Sequence, residues 1–192
     1  MIKTENFQQV EVSSAAELRA WLEVNHTQHE SIWLVRYKKH IADKFVSPRE
    51  VLDEILCFGW IDGIARKLDD DLTMQLLSPR RTQLWAKSYK DRAARLIREG
   101  RMQPAGLHAI EDAKRNGLWD AMNDVDALLM PDDLVVALEA RPPAATAFAA
   151  AAPSYRRNVL RWIKQAKTPE TRARRIEQAA TLAARNEKVP QL

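Results

Sequence analysis

Apolar residues along this chain fall into two rhythms, and the change from one to the other marks its elements. Val51, Leu52, Ile55, Leu56 and Phe58 recur at the spacing of one helix face, and Gly59 follows as the residue best able to close a helix in the left-handed conformation. Trp60, Ile61 and Asp62 then alternate, so an extended segment carries Trp60 and Asp62 on one face and Ile61 on the other. The same period of two predicts a short edge strand at residues 7–12 and a strand at residues 31–37, the latter rich in β-branched and aromatic side chains. Residues 61–68 and 72–77 flank Asp69, Asp70 and Asp71 and read as a β-hairpin. With average sheet sizes these strands form an antiparallel sheet of about four strands. Pro79, in the run Ser78, Pro79, Arg80, Arg81, ends the last of them.

Helices fill the intervals. Ser14 and Glu17 have the spacing of a reciprocal cap, and Leu18, Trp21 and Leu22 give the stripe behind it, ending near Asn25. Ser47, Pro48 and Glu50 open the helix that runs into Gly59. Ser88 is read as the cap of a helix with Ala93, Leu96 and Ile97 inward and Gly100 as its stop. Pro104 opens another, with Leu107, Ile110 and Ala113 inward and Asn116 and Gly117 at its end. Residues 118–130 are acidic and lack a strong period, which reads as a linker. Beyond it lie helices near 131–140 and 143–151, one capped by Ser154 and one capped by Thr168 with Pro169 in the first turn. The expectation is therefore an α+β protein: residues 1–117 form an antiparallel sheet flanked by helices, and residues 131–192 form an all-helical domain.

Composition narrows the class. The 192 residues are 46% hydrophobic, enough for a core, and no apolar run reaches the ~18 residues of a membrane span. Met1 to Asn6 offers no apolar core of the secretory type, so the expected location is the cytoplasm. Cys57 is the only cysteine, on the apolar helix face, which excludes an intramolecular disulfide and points to a buried, inert thiol. The net charge of +4 is uneven: residues 154–192 hold ten basic against three acidic side chains, +7, leaving −3 for the rest. That asymmetry favours an anionic partner for the C-terminal helices.

Several stretches carry a resemblance. Residues 50–63 lead it, with Ile32, Trp33, Leu34 and Val35 and then Lys38 and Lys39 before them. Ser78 to Arg81, Trp85 to Lys87, Gly100 to Met102 with Pro104 to Gly106, and Trp162 to Arg172 follow in order. On these the chain resembles the bacterial YdeI/OmpD-associated, or bacteriocin-protection, family of OmdA type. The resemblance implies a non-enzymatic protein linked to envelope-stress resistance and acting through binding. The N-terminal half is also similar in outline to small YdhG-like domains, some of them described as iron chaperones.

Two groups of residues are candidates for function. Trp60, Asp62, Arg66, Arg80, Arg81, Trp85 and Lys87 supply arginine forks for a carboxylate or phosphate and flat indoles for a ring or cation, together a pocket for a small anionic ligand. The competing reading has Trp60 packed in a core turn, and Arg80 and Arg81 solvated or paired with Asp69 to Asp71. Two adjacent arginines of an extended chain cannot both point inward. The second group, Arg157, Arg161, Lys164, Arg172 and Arg175, lies at helical spacing within residues 154–180 and suits an acidic protein surface or a nucleic-acid backbone, or is simply two solvated helix faces. No phosphate loop, nucleophile elbow or paired-histidine metal motif is present, and His26, His29, His40 and His108 form no spaced ligand set. No catalytic residue, metal or cofactor is singled out; the competing class is a small-molecule enzyme of unknown chemistry, which a buried acid with convergent arginines and an open cleft would promote. An aspartate-rich hairpin tip such as Asp69 to Asp71 reads as a turn before it reads as an iron site.

Overall fold

The computed structural model describes residues 6–190, so Met1 to Glu5 of the stretch read for a secretory signal lie outside the described residues. The chain forms two compact units, residues 1–120 and 121–192. The first contains β1 (Gln9–Val12), α1 (Ala15–Asn25), β2 (Ile32–Tyr37), α2 (Pro48–Cys57), β3 (Trp60–Lys67), β4 (Leu72–Pro79), α3 (Lys87–Arg98) and α4 (Pro104–Arg115). The fold is α+β, as the periodicities require, with a four-stranded sheet in order β1-β2-β4-β3.

One feature of the sheet differs from expectation. β2–β4 and β3–β4 are antiparallel, but β1 pairs with β2 in parallel, Val10 opposite Leu34 and Val12 opposite Arg36. The sheet is mixed because α1 and α2 act as crossovers: β1, β2 and β3 point the same way, and β4 returns through the hairpin to lie between β2 and β3. β3 is consequently an edge strand, and its pairing with β4 slips between Asp62 and Ala65 at a bulge.

Sequence signals fix most helix ends. Ser14 accepts the Glu17 amide, although the Glu17 carboxylate answers to Ser13 rather than to Ser14 itself. Ser47 and Glu50 form a complete capping box, and Gly59 follows α2 at φ +75°. Ser88 and Ser154 do not cap. α3 begins at Lys87 after Ala86, with no side-chain cap, and the corresponding helix of the second unit begins at Pro153. Ile97 and Leu107, expected inside, are 47% and 38% exposed.

The core lies between the helices and one sheet face. Val10, Val12, Ile32, Leu34 and Leu77 meet Leu18, Leu22, Ile55, Leu56 and Leu96 there. Trp60 is fully buried among them, its indole N–H donating to the His26 carbonyl at 2.9 Å and its ring 5.7 Å edge-on to Trp21. Trp60→Phe keeps the ring but strands that carbonyl and opens a void. A loss of about 1–3 kcal/mol is expected, read as a lower urea midpoint at unchanged slope. An unaltered midpoint would show that the indole bond adds nothing.

The second unit contains α5 (Asn123–Asp126), α6 (Asp132–Glu139), α7 (Ala144–Ala150), α8 (Pro153–Lys164) and α9 (Pro169–Ala184), and no strand among its described residues. Short α5 falls in the stretch without a period. Thr168 caps α9 by accepting the Thr171 amide. Leu134, Leu138, Phe148, Val159, Leu160, Ile163, Ile176 and Ala180 are among the buried side chains of this unit.

Candidate functional site

A line of polar side chains crosses the buried sheet face of the first unit. On β2, Arg36 is 7% exposed, and its Nη1 donates to the Val46 carbonyl at 2.9 Å while Nη2 reaches Gln75 Oε1 at 3.4 Å. Gln75, on β4, donates from Nε2 to Asp62 Oδ2 at 3.2 Å. Asp62, on β3, accepts on its other oxygen a short bond from the Tyr89 hydroxyl of α3. The Arg80 guanidinium closes the line, 4.8 Å from the Tyr89 ring centroid and 4.1 Å from that of Trp85.

Local structure sets each position. The Arg80 amide donates to the Gly59 carbonyl at 2.9 Å, so the residue after β4 is held against the turn that ends α2. Its neighbour points away: Arg81 is exposed, and its Nη2 donates to the His29 carbonyl at 3.2 Å. Arg80 therefore turns inward alone, as alternation requires. Asp62 reaches the same side as Leu77, its cross-strand partner, and Tyr89 descends from the first turns of α3.

The electrostatics are lopsided. Both Asp62 oxygens are engaged, whereas Arg36 Nε, Arg80 Nε and Arg80 Nη2 are buried without a hydrogen-bond partner. Burial pulls Arg80 down to about 10, against the opposite pull of Tyr89 and Asp62, and also lowers Arg36. Burial, and then the bond to Asp62, push the Tyr89 phenol well above its ordinary value, so it stays protonated and serves as a donor. Asp62 acts on Arg80 but gives its oxygens to Gln75 and Tyr89, Arg36 reaches it only through Gln75, and three buried N–H nitrogens remain unused.

Of the seven residues expected to line a pocket, three meet here: Asp62, Arg80 and Trp85. Trp60 lies in the core with its N–H taken by His26. The Arg66 guanidinium lies 5.0 Å over Trp33, a residue of the opposite sheet face, and Lys87 pairs with Asp91 at 2.7 Å. Arg36, Gln75 and Tyr89 were not anticipated. Arg36 interrupts the otherwise apolar inward face of β2, which is the signal that would have found it; Gln75 shares its face with Thr73 and Leu77 and signals less, and Tyr89 carries none beyond its place in α3.

The five basic side chains expected to hold a partner are engaged within the second unit. Lys164 pairs with Asp124 at 2.6 Å, Arg172 holds Asp133 through two bonds of 2.7 and 2.8 Å, and Arg157 Nε donates to the Asp126 carbonyl at 3.3 Å. Arg161 donates to Asn158 at 3.3 Å, and Arg175 bonds the Trp162 carbonyl while lying 5.1 Å over its ring. The bond from Arg172 holds Asp133 below the ordinary carboxylate range and raises Arg172. Lys164 and Arg172 flank a hollow of about 250 Å³ floored by Val125, Leu160 and Ile163, with Leu129 and Met130 at its exposed margin.

Residues 10–109 match a domain of unknown function, DUF8412, and residues 127–186 match the family described as bacteriocin-protection, YdeI or OmpD-associated (OmdA). The chain belongs to the DUF8412 family, and its residues 127–186 form a domain of the YdeI/OmpD-associated type. No curated protein and no solved structure matches it. The polar line lies wholly in the DUF8412 segment, and the engaged arginines lie in the OmdA segment.

The hairpin tip of the DUF8412 unit is a turn. Asp69 Oδ1 accepts the amides of Asp71 and Leu72 at 2.8 and 2.7 Å, Lys67 pairs with Asp70, and His40 meets Asp71 at 2.9 Å. Among the described residues no three His, Cys, Asp or Glu side chains are grouped to hold a metal ion, and no helix is long and apolar enough to cross a membrane.

Proposed function

We propose that this protein works by binding rather than by catalysis, and that the DUF8412 unit takes a small anion against Arg80 and Arg36. The observation that carries the reading is the surplus of buried positive charge. A buried cation is costly unless an opposite charge and hydrogen bonds satisfy it, yet three guanidinium nitrogens along the polar line, two on Arg80 and one on Arg36, have no partner. An arriving anion would satisfy them. Two groups that could otherwise react are held inactive, in keeping with a binding role: Tyr89 stays protonated, and burial, then Glu54, push the Cys57 thiol up to about 11. The basic helices of the OmdA unit are the weaker candidate for an acidic protein or nucleic acid, because Arg157, Arg161, Lys164, Arg172 and Arg175 already have partners within that unit. Within its family the protein then acts in the cytoplasm in stress protection, with the bound anion as its signal or cargo.

Calorimetric titration of the full chain with acetate, succinate, citrate, phosphate and sulfate tests the reading. At least one anion is expected to bind, with affinity at least tenfold lower in Arg80→Ala and unchanged in Arg66→Ala. Binding of no anion, or equal binding by Arg80→Ala, would remove Arg80 from any site.

A further inference from the structure

We infer that the anion is a singly charged carboxylate, received edge-on by the Nε–H and Nη2–H pair of Arg80. This rests on the anion-binding reading above and narrows it. A guanidinium presents parallel N–H bonds along each edge, and the edge formed by Nε and Nη2 matches the two oxygens of a carboxylate. In Arg80 the nitrogens divide along that line. Nη1 is directed at the carbonyls of Gln83 and Leu84, both at 3.4 Å, while Nε and Nη2 are the two without partners. The unused donors therefore form one complete fork rather than two scattered vacancies.

Shape and charge around the fork choose among oxyanions. The guanidinium carbon lies 4.1 Å from the Trp85 ring centroid and 4.8 Å from that of Tyr89, so two aromatic rings stand beside the fork. A carboxylate places both of its oxygens on the fork, whereas a phosphate or sulfate on the same fork brings further oxygens that have to be accommodated near rings whose faces carry negative charge. Asp62 adds a second filter, since its carboxylate stands close enough to act on Arg80 and penalises a dianion more than a monoanion. Arg80 is the only group of the line with two adjacent free donors; Arg36 has one, and its two other nitrogens are bonded to Val46 and Gln75. The Gln83 and Leu84 carbonyls engage only Nη1, at the long limit of a hydrogen bond, so a ligand on the Nε and Nη2 edge leaves them in place.

The full chain is titrated at constant ionic strength with acetate, propionate and benzoate on one side and inorganic phosphate and sulfate on the other, for the unaltered protein and for Arg80→Lys. Carboxylates are expected to bind at least tenfold more tightly than either tetrahedral anion. Arg80→Lys, which keeps the charge and loses the fork, is expected to lose at least tenfold of that affinity. Because the variant can fail for want of folding, the Arg80 Nε–H resonance of the unaltered chain supplies a second reading and is expected to move downfield on addition of benzoate. Phosphate or sulfate binding as tightly as the carboxylates, full affinity in Arg80→Lys, or a motionless Nε–H resonance would overturn the assignment while leaving anion binding intact. No binding by any of the five would overturn both.

Discussion

Gly106→Ala is expected to destabilise the DUF8412 unit by about 2–3 kcal/mol, the upper part of the range for overpacking a core, although alanine is the better helix former. Gly106 lies in the first turn of α4 where that helix crosses the end of α2. A β-carbon there would stand 2.3 Å from the Cys57 carbonyl oxygen and 2.8 Å from its carbon, with Met102 Cε at 2.7 Å. The methionine tip can swing away, but the carbonyl cannot: it belongs to the last residue of α2 and accepts the Gln103 amide at 3.1 Å. From the other side, Gly59 lies 2.9 Å from the Ala105 carbonyl at the position of its missing β-carbon and has φ +75°. The two helices touch backbone to backbone, with a glycine on each side of the contact. A methyl group has to push α4 outward and with it Ile110 and Ala113, which are buried in the core. Helix propensity alone predicts the opposite sign, a gain of up to about 1 kcal/mol. Urea unfolding decides between them, and a midpoint equal to or above that of the unaltered chain would refute the close approach.

That junction shows what the chain reveals in one dimension. The end of α2 at Gly59, the capping box at Ser47 and the apolar strand at β2 follow from local periods and caps, and the structure agrees with them. The reason for Gly106 is not local, because the atom it avoids belongs to Cys57, nearly fifty residues earlier. Strand direction is hidden for the same reason. Residues 9–12 alternate equally well in a parallel or an antiparallel pair, and the pairing is decided by α1 crossing back over the sheet. At the candidate site, alternation correctly allows one of Arg80 and Arg81 to face inward but does not say which; the amide bond from Arg80 to Gly59 selects it. The run of charge in α8 and α9 misleads by omission. Lys164 and Arg172 find Asp124 and Asp133 some forty residues earlier, so a count along the chain registers surplus where the fold has made pairs.

A second large effect is expected at Asp53, where buried charge rather than backbone contact joins the helices. Asp53 is 5% exposed, and its carboxylate takes bonds from Arg92 and Arg95, the latter at 2.6 and 2.7 Å, with Arg101 at 3.7 Å. Its neighbour Glu54, also 5% exposed, receives Arg19 of α1 at 2.9 Å and Arg101 at 2.5 Å. The pair ties α1, α2, α3 and the turn before α4 together. Removing one partner of a fully buried pair typically costs about 3–5 kcal/mol. The arginines here remain 21–37% exposed and screened by water, so Asp53→Asn is expected to cost about 2–3 kcal/mol at neutral pH. Burial pushes the Asp53 carboxyl up, but the bonds from Arg95 and Arg92 outweigh it and hold the group below its ordinary value of 3.8. A carboxyl depressed in the folded state stabilises fully above its unfolded value, and that contribution disappears as pH falls through the folded one. The difference in stability between the unaltered chain and Asp53→Asn should therefore be constant from neutral pH down to about pH 5 and shrink between about pH 4 and pH 2. Asp69, Asp124 and Asp133 are depressed as well and titrate in the same window, which is why the difference between the two proteins, and not the acid transition of either, carries the result. A gap that stays constant to the lowest pH would mean that the Asp53 charge contributes nothing to holding α2 against α3.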